Sequence, residues 1–484
     1  MVNARGERIF GVETEFGTLV SDSAGFPDAV VELIKDHIFY EARLGAIDLH
    51  SRDEVFEPAG AGGFLINGGR LYVDAVGSHL EYATAECRDL KTLIANDRAG
   101  QRQILRALRE LKLQDEVSVY NNSVDHFGGH TFGCHENYLV EMTEDFFTVD
   151  APKLYPFLVT RQIFAGVGRV GGHVLISGGV PDYDEVNRNP IDYIWVSQVY
   201  DVLEDDSVPF QLSQRADHIL KTVASRVRFN RALINPKWEH FYAHEGAHRL
   251  HLLFGESNQN TYAYALKVGS TSLVLALVED DLIPDRLRCA EPLIALRVVS
   301  RDQSFSWPVK MEDGSVIGAV DVQREYLKLA QRYKGGNDDI DWVLAEWELV
   351  LDGLEKDPLA LGDRIDWVAK RKIVEMYKEA EGLDWDAPAL HSFDLEYHNI
   401  DPDRSLFHGY AASEGVRDFV DEIEILDAMT EPPSNTRAKG RAALVREVLE
   451  RSGPRFYAFD WSGVALTRTE YVEMPDPFET YSDD

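Results

Sequence analysis

With 484 residues, of which 44% are hydrophobic, the chain can bury a large core, which excludes an intrinsically disordered protein and suggests roughly two to four domains. Its 49 Lys and Arg against 83 Asp and Glu give a formal net charge of −34, so that the surface as a whole repels nucleic acid and anionic membranes. Three cysteines without C-x-x-C spacing, and an N-terminus without an apolar signal core, argue against a disulfide framework, a thiolate zinc site and secretion, and favour a reducing cytoplasm.

The first predicted element is a β-strand at Arg8–Gly17 that carries two glutamates. Because successive side chains on a strand point to opposite faces, its apolar residues would share one face, and Glu13 and Glu15 the other. An amphipathic helix is predicted next, at Pro27–Phe39. The segment Tyr40–Phe64 then loses periodicity and ends in a glycine-rich run, which predicts a mobile loop.

A second strand is predicted at Asn67–Asp74, with Arg70, Tyr72 and Asp74 on one face and apolar residues on the other. The stretch that follows, Gly77–Glu86, adds further carboxylates. Hard oxygen ligands, an arginine and a spare carboxylate on one sheet surface suit Mg²⁺ and nucleotide phosphates, and leave one acid for chemistry. The alternative is a pair of half-exposed edge strands whose outer faces are simply charged.

The rest of the chain shows more helix than strand. The predicted elements are a helix at Lys91–Leu113, short strands at Val117–Asn121 and Glu136–Glu141, a surface excursion at Gly178–Asp206, a buried helix at Tyr262–Ile283, and amphipathic helices at Asp321–Lys334, Asp341–Lys356 and Asp366–Glu381. Because strands come first and helices later, without regular alternation, the pattern favours an α+β fold. A boundary near Asp401 would separate a large domain of residues 1–400 from a small C-terminal domain of residues 401–484.

Residues His244–His248 match H-E-x-x-H, the pattern of zinc proteases, which requires both histidines on one face of a helix. The glycine inside the pattern and the strand-like alternation of Arg249–Gly255 argue against that helix. As a strand, this segment would turn Arg249 and His251 to the same side. A zinc metalloprotease is kept as an alternative.

Two other patterns are less specific. His135 and Glu136 lie beside a predicted strand and could either ligate a metal or hydrogen-bond within a core, and both interpretations stay open. Gly166–Gly171 is glycine-rich, but it lacks the preceding strand and the following helix of a dinucleotide loop. No P-loop sequence occurs, so any nucleotide must be held in another way.

Taken together, these motifs resemble the Pup-modifying enzymes, the family of the Pup–protein ligase PafA and the depupylase Dop. The collinear matches run nearly from end to end and include Gly11–Gly17, Asn67–Glu86, Gly133–Leu139, Phe157–Gln162, Gln211–His218, Arg249–His251, Leu266–Gly269, Asp321–Tyr326, Ile365–Val368 and Pro432–Ala438. The resemblance implies a glutamine synthetase-like α+β fold, with a curved antiparallel sheet cradle packed with helices and a small C-terminal domain. The large domain of residues 1–400 would then be the catalytic one.

The resemblance also implies cofactors and their ligands. Magnesium ligands would be Glu13, Tyr72 and Glu81, with Glu15 close by. Contacts to ATP would come from Arg70, Thr84 and Trp461. Asp74 would be the catalytic acid/base or the nucleophile. Glu81 and Thr84 have opposite parity on a strand, so a bulge or turn must intervene if both face the site.

Two stretches depart from the family pattern. The family's Asp-x-Gly-Ser-His-Pro-Glu is represented by Asp74–Glu81, which has one extra residue and Leu80 in place of proline. The family's Asn-Thr-Arg-Asp-Glu-Pro-His is represented by Asn235–Phe241, which lacks its Arg, Asp and His. We therefore keep an inactive Pup-binding relative as an alternative.

The sequence motifs identify the family more clearly than they identify the direction of the reaction, which is either hydrolysis or ligation. Phe210–Arg215 and the length of Tyr40–Phe64 resemble the hydrolase branch, whereas most other local motifs resemble the ligase branch. The prediction is a depupylase or deamidase, which hydrolyses the isopeptide between the C-terminal Glu of Pup and a target lysine, or a C-terminal Gln of Pup. The alternative is a Pup–protein ligase that forms the isopeptide through a γ-glutamyl phosphate. Expected partners are Pup and pupylated proteins, with Lys370, Arg371 and Lys372 as a candidate basic groove, or else as a solvated helix face.

Overall fold

A large antiparallel sheet is the main feature of the computed structural model, which describes residues 8–48, 60–74, 79–126, 129–177, 200–224, 231–237, 247–451, 457–467 and 469–482. Its strands are β1 Phe10–Val20, β2 Gly45–Ile47, β3 Gly62–Leu65, β4 Arg70–Asp74, β5 His79–Ala83, β6 Val117–Tyr120, β7 Cys134–Glu141, β8 Arg169–Val170, β9 His173–Ser177, β10 Tyr200–Glu204, β11 Phe210–Gln211, β12 Lys221–Val223, β13 Ala232–Pro236, β14 Ala247–Leu252, β15 Pro308–Lys310, β16 Val316–Gly318, β17 Ala458–Asp460, β18 Gly463–Ala465 and β19 Tyr471–Glu473. Among these described strands, ten form one sheet in the order β12-β13-β14-β7-β1-β5-β4-β3-β2, with β6 paired to the second half of β1. Only the β12–β13 pair is parallel in the described part of this sheet.

Helices make up most of the second half of the chain. They are α1 Pro27–Asp36, α2 Leu90–Glu110, α3 Ala151–Thr160, α4 Gln162–Ala165, α5 Thr261–Glu279, α6 Pro292–Arg301, α7 Ala319–Ala330, α8 Asp338–Lys356, α9 Asp366–Glu381, α10 Pro388–Tyr397, α11 Leu406–Glu414, α12 Glu422–Asp427 and α13 Ala438–Glu450. The predicted α+β class is confirmed, since one antiparallel sheet is followed by a mainly helical region. The helices predicted from apolar periodicity are present, with bounds that shift by a few residues.

Helix α5 forms the centre of the core beneath the sheet. The Asn260 side chain caps its start by accepting hydrogen bonds from the backbone N–H groups of Tyr262 and Ala263. By length and composition α5 could cross a membrane, but 94% of its apolar window is buried inside the protein. The prediction of a buried helix in this segment is confirmed.

The predicted mobile loop at Tyr40–Phe64 is wrong in its described part. Residues Gly45–Ile47 and Gly62–Leu65 form strands β2 and β3, which pair with each other and extend the sheet. A Cβ on Gly63 would lie 2.0 Å from the carbonyl oxygen of Ala46, so glycine is what lets the two strands approach. A run of glycines therefore predicts a loop, although Gly62 and Gly63 begin a strand. Residues 49–59 lie outside the described part of the chain.

The predicted surface excursion also overlaps a strand. Residues Tyr200–Glu204 form β10, which pairs with β9 in antiparallel orientation. Residues 178–199 lie outside the described residues. The boundary predicted near Asp401 stays a prediction. After that point, Phe407 and Tyr410 of α11 pack with residues of α9 and α10, while α13 and the β17–β19 sheet pack beside Phe64 of β3.

The candidate basic groove of Lys370, Arg371 and Lys372 is wrong for Lys370, whereas Arg371 and Lys372 are half-buried. Lys370 is fully buried, and its Nζ donates to Asp394 Oδ1 at 2.5 Å and to the carbonyl oxygen of Gly168 at 2.7 Å. A charge held in this way contributes neither to a solvated face nor to a surface groove.

The three cysteines are buried and form no disulfide, as the sequence predicts. Burial raises the pKa of each thiol, and that of Cys289 to about 12.

Candidate active site

Five predicted site residues lie on one face of the sheet. In the β1–β5 pair Glu15 lies opposite Glu81, in the β4–β5 pair Tyr72 also lies opposite Glu81, and in β4 Asp74 follows Tyr72 by two residues. Glu13 is two residues from Glu15 on β1. Because directly opposite residues in an antiparallel pair project to the same side, the register brings all five together.

Three of these side chains form a compact carboxylate group. One carboxylate oxygen each from Glu15, Asp74 and Glu81 lies within 4.8 Å of the other two. Burial, with the nearby charges of Glu15 and Asp74, raises the pKa of Glu81 well above its usual value. Burial also raises the pKa of Glu15, but the hydrogen bond at 2.9 Å between Glu15 Oε2 and His79 Nδ1, together with the charges of His79, His135 and Arg231, outweighs burial and lowers the pKa to about 2. The negative charges of these three carboxylates repel one another, and a bound cation would stabilise them.

Glu13 belongs to a second, adjoining group that contains nitrogen donors. Glu13, His135 and His251 each offer an atom within 4.8 Å of the others. Asn137 Nδ2 and Arg249 Nη1 donate to Glu13 Oε1 at 3.1 and 3.0 Å. Burial raises the pKa of Glu13, but the charge of His251 and the contacts with His135 and Arg249 outweigh it, so that the pKa lies well below the usual value.

His135 and Glu136 are neighbours on strand β7, so their side chains point to opposite faces of the sheet, and each of the two interpretations holds for one of them. His135 joins the site face, where its Nδ1 is 3.5 Å from Glu13 Oε2. Glu136 projects to the other face, is fully buried, and accepts hydrogen bonds from Arg161 Nη1 at 2.9 Å and from Nη2 at 2.5 Å. One residue of the pair thus belongs to the site and the other to the core.

The strand predicted at Arg249–Gly255 is confirmed up to Leu252, where β14 ends, and the side chains of Arg249 and His251 lie on the site face. The zinc-protease pattern is not on a helix, because Ala247 and His248 already belong to the same strand. Residues 244–246 of the pattern lie outside the described part of the chain.

The predicted ATP-contacting residues line one cavity of about 490 Å³ beside the carboxylates. Arg70 and Thr84 contribute from the sheet, and Trp461 contributes from the C-terminal segment. Strand β5 ends at Ala83, so Thr84 is freed from strand parity and can face the cavity. A volume of this size is typical of small-molecule sites. The Arg70 guanidinium lies over the ring of Tyr72, 4.2 Å from its centroid.

Arg231 also lies at the site, although no sequence pattern predicts it there. Burial lowers the pKa of this guanidinium, while the charges of Glu15 and Asp74 raise it, which places Arg231 beside the carboxylate group. It directly precedes strand β13 of the same sheet. An arginine that flanks an apolar strand is common, so no local pattern could have singled it out.

Gly133 lies between the group of Glu15, Asp74 and Glu81 and the group of Glu13, His135 and His251, so a substitution there tests whether the two groups act together. A Cβ at this position would lie 2.4 Å from His135 Nε2 and 2.5 Å from Glu15 Oε1. We expect Gly133→Ala to push both side chains aside and to lower enzymatic turnover by roughly 100-fold, because displacements of about 1 Å have effects of that size. The matched control is Gly409→Ala on helix α11, where a Cβ meets nothing within 4 Å. Unchanged turnover in Gly133→Ala, measured beside that control, would contradict the placement.

Comparisons with known proteins agree with this geometry. The family model described as Pup-ligase protein matches residues 8–465. A Pup–protein ligase of Pseudarthrobacter chlorophenolicus is 33% identical over 98% of this chain and 97% of its own length. A depupylase of Acidothermus cellulolyticus is 36% identical, over 83% of this chain and 74% of its own length.

Two solved structures extend the agreement to the fold. The complex between Pup and its ligase PafA matches with a TM-score of 0.78 and 28% identity, and covers 99% of this chain and 92% of that one. The Pup ligase PafA in complex with ADP matches with a TM-score of 0.72 and 29% identity, and covers 95% of this chain and 92% of that one. The sheet, the carboxylate face and these matches along nearly the whole chain lead to one conclusion: the chain belongs to the Pup ligase family.

Proposed function

We propose that the protein is a Pup–protein ligase, which uses ATP and Mg²⁺ to join the C-terminal glutamate of Pup to a lysine of a target protein. The observation that carries this is the nucleotide-sized cavity that adjoins the Glu15, Asp74 and Glu81 carboxylates on one sheet face. The ligase replaces the depupylase as the preferred direction, because the ligase relative matches over 97% of its length and the depupylase over 74%.

The charge of the cavity supports ATP as the nucleotide. Four cationic side chains line it, namely Arg70, Lys237, Arg249 and Arg437, against the three acids Glu13, Glu86 and Asp460. This local balance is the reverse of the whole chain, whose net charge is −34. Arginine and lysine side chains are the groups that bind phosphates in proteins. The related PafA was solved with ADP.

The donor set also fits Mg²⁺. Glu15 and Glu81 supply hard oxygen ligands, and a divalent cation would offset their repulsion with each other and with Asp74, the carboxylate kept for proton transfer. Glu13 would add an oxygen from the adjoining group. The Tyr72 phenol hydrogen-bonds to Glu81, and burial, with the Glu81 charge, raises the pKa of Tyr72 well above its usual value. This supports a role for neutral Tyr72 in orienting the Glu81 carboxylate. When bound, the ion would supply charge neutralisation to the phosphates of ATP.

The proposed reaction has two steps. The side-chain carboxylate of the C-terminal Glu of Pup first attacks the γ-phosphorus of ATP, which yields a γ-glutamyl phosphate and releases ADP. The amine of a target lysine then attacks the acyl carbon, an isopeptide bond forms, and inorganic phosphate leaves. Asp74 accepts the proton that the attacking lysine loses. Arg70 and Arg231, which lie beside Tyr72 and the carboxylates respectively, would stabilise negative charge that develops on the phosphoryl oxygens.

The proposed partners are Pup and the proteins it modifies, as the complex of PafA with Pup suggests. The chain departs from the family pattern at 235–241, of which residues 238–241 lie outside the described part. Conjugation of Pup by the purified protein would show that activity survives this departure. A cytoplasmic location is proposed with the ligase function, and the three buried free thiols support it.

A two-direction assay tests the proposal. With Mg²⁺ and ATP, we expect Pup ending in Glu and an acceptor protein to yield a conjugate together with ADP and phosphate, measured by gel shift and phosphate release. Purified conjugate incubated with the same enzyme should stay intact by comparison. Release of free target from the conjugate, without conjugate formation, would instead identify a depupylase. Nucleotide and Pup binding without either reaction would identify a binding relative.

A further inference from the structure

A buried cluster of charges joins the two walls of the nucleotide cavity. Glu86 and Arg437 line the cavity, and Arg441 lies one helical turn after Arg437 on α13. Arg437 Nε donates to Glu86 Oε1 at 2.7 Å, and Arg441 Nη1 donates to the same oxygen at 3.0 Å, while Arg441 Nη2 bonds to Glu86 Oε2. We call these three residues the Glu86 clamp. All are buried, with Arg437 1% and Arg441 0% exposed.

The clamp connects residues that are far apart in sequence. On the sheet side, Glu86 follows Thr84 by two residues, and Arg441 Nη2 donates to the carbonyl oxygen of Gly68 at 3.1 Å. On the C-terminal side, Arg441 Nη1 donates to the carbonyl oxygen of Trp461 at 3.0 Å. The Arg441 guanidinium also lies 4.9 Å from the ring centroids of both Trp461 and Phe64.

The electrostatics show that the carboxylate is charged. Burial raises the pKa of Glu86, but the charges of Arg441 and Arg437 outweigh that effect and lower the pKa to about 2. Two guanidiniums around one carboxylate leave a net positive charge at the cavity wall. Removing the carboxylate would leave two buried cations without their shared partner, which forces them to move.

We propose that the Glu86 clamp positions the nucleotide site, because it holds Trp461 of the C-terminal segment opposite Thr84 of the sheet at a fixed separation. This inference rests on the proposed ATP-dependent function. Glu86 and Arg437 themselves line the cavity, whereas Arg441 is a positioning residue that acts through Trp461 and Glu86. The chemical step depends on Asp74, so loss of the clamp should weaken nucleotide binding far more than it slows turnover at saturating ATP.

The test compares Glu86→Gln, Arg441→Lys and a matched control in the full chain. Glu86→Gln keeps the shape of the side chain and removes its charge, and Arg441→Lys keeps the charge but loses the two-pronged geometry. The control is Asp394→Asn, because Asp394 is also a buried carboxylate, is held by Lys370 and His126, and lies away from the cavity lining. Each variant is measured for binding of a fluorescent ADP analogue, for KM of ATP, and for kcat of conjugation.

We expect both clamp variants to raise the dissociation constant for the ADP analogue and the KM for ATP by roughly 10-fold or more, with kcat within about twofold and KM for Pup unchanged. Asp394→Asn should melt at a lower temperature than the wild type but keep the wild-type KM for ATP. Wild-type nucleotide affinity in folded Arg441→Lys would overturn the clamp while leaving the ligase function intact, even if Glu86→Gln failed to fold. If the wild-type enzyme conjugates Pup but does not bind the ADP analogue, the proposed role of the Glu86 clamp in nucleotide binding is also wrong. A wild-type enzyme that binds nucleotide but does not conjugate would overturn the ligase function alone, and the affinities would still decide the clamp.

Discussion

Asp74→Asn is expected to lower kcat for Pup conjugation by roughly 10²–10⁴-fold, the usual contribution of a positioned general base. The amide keeps the size of the side chain but cannot accept the proton of the attacking lysine. Because Asp74 lies with Glu15 and Glu81 and not among the residues that line the cavity, affinity for ADP should stay within about threefold of the wild type. Single-turnover conjugation and binding of a fluorescent ADP analogue together measure the two effects.

The control for that variant is Asp22→Asn, an exposed residue beyond the end of β1, which should conjugate at the wild-type rate. Loss of nucleotide binding together with activity in Asp74→Asn would mean that the residue acts on the nucleotide site. Full activity would remove Asp74 from the mechanism.

Glu81→Gln is expected to separate stability from activity. Without divalent cations the three carboxylates of Glu15, Asp74 and Glu81 repel one another, so that neutralising one should raise the melting temperature of the metal-free protein by roughly 1–3 °C. The same change replaces a charged carboxylate ligand with a neutral amide, which binds Mg²⁺ more weakly, and kcat should fall by at least roughly 100-fold. Differential scanning fluorimetry in EDTA and in Mg²⁺, with conjugation assays alongside, measures both effects.

Mg²⁺ should raise the melting temperature of the wild type and have a smaller effect on Glu81→Gln, because ligands that bind only the folded state stabilise it. Glu348→Gln on the exposed side of α8 is the matched control and should respond to Mg²⁺ as the wild type does. An equal response in Glu81→Gln would place the ion elsewhere. A lower metal-free melting temperature would argue against repulsion in the group.

The site face could be predicted from strand alternation because its chemistry is local to each strand. Glu13 and Glu15 share a face by parity, as do Arg70, Tyr72 and Asp74, and the antiparallel register then brings the two sets together. The alternation of side chains along a strand does not predict which strands are neighbours in the sheet. The resemblance to a family supplied that information for Trp461, which reaches the cavity from a different part of the chain.

What could not be predicted depends on long-range packing. Arg231 and Glu86 carry no pattern of their own, and each acquires a role only through charges that approach from elsewhere in the chain. Lys370 is a further example, because its burial also depends on a distant part of the chain. The polar positions of α9 predict a solvated helix face, but Asp394 of α10 covers Lys370. The glycines of β3 predict a loop, because strands that approach closely through glycines show no hydrophobic periodicity in the sequence.

The buried thiols have a practical consequence for studying motion in this enzyme. Cys87, Cys134 and Cys289 are enclosed in the core, and their raised pKa values leave few thiolates at neutral pH to attack a maleimide. A cysteine introduced on the surface would therefore be labelled first, without deletion of native residues. Fluorophores attached to the sheet and to the C-terminal segment could then report distances during catalysis, and slow labelling of the native thiols would time global unfolding.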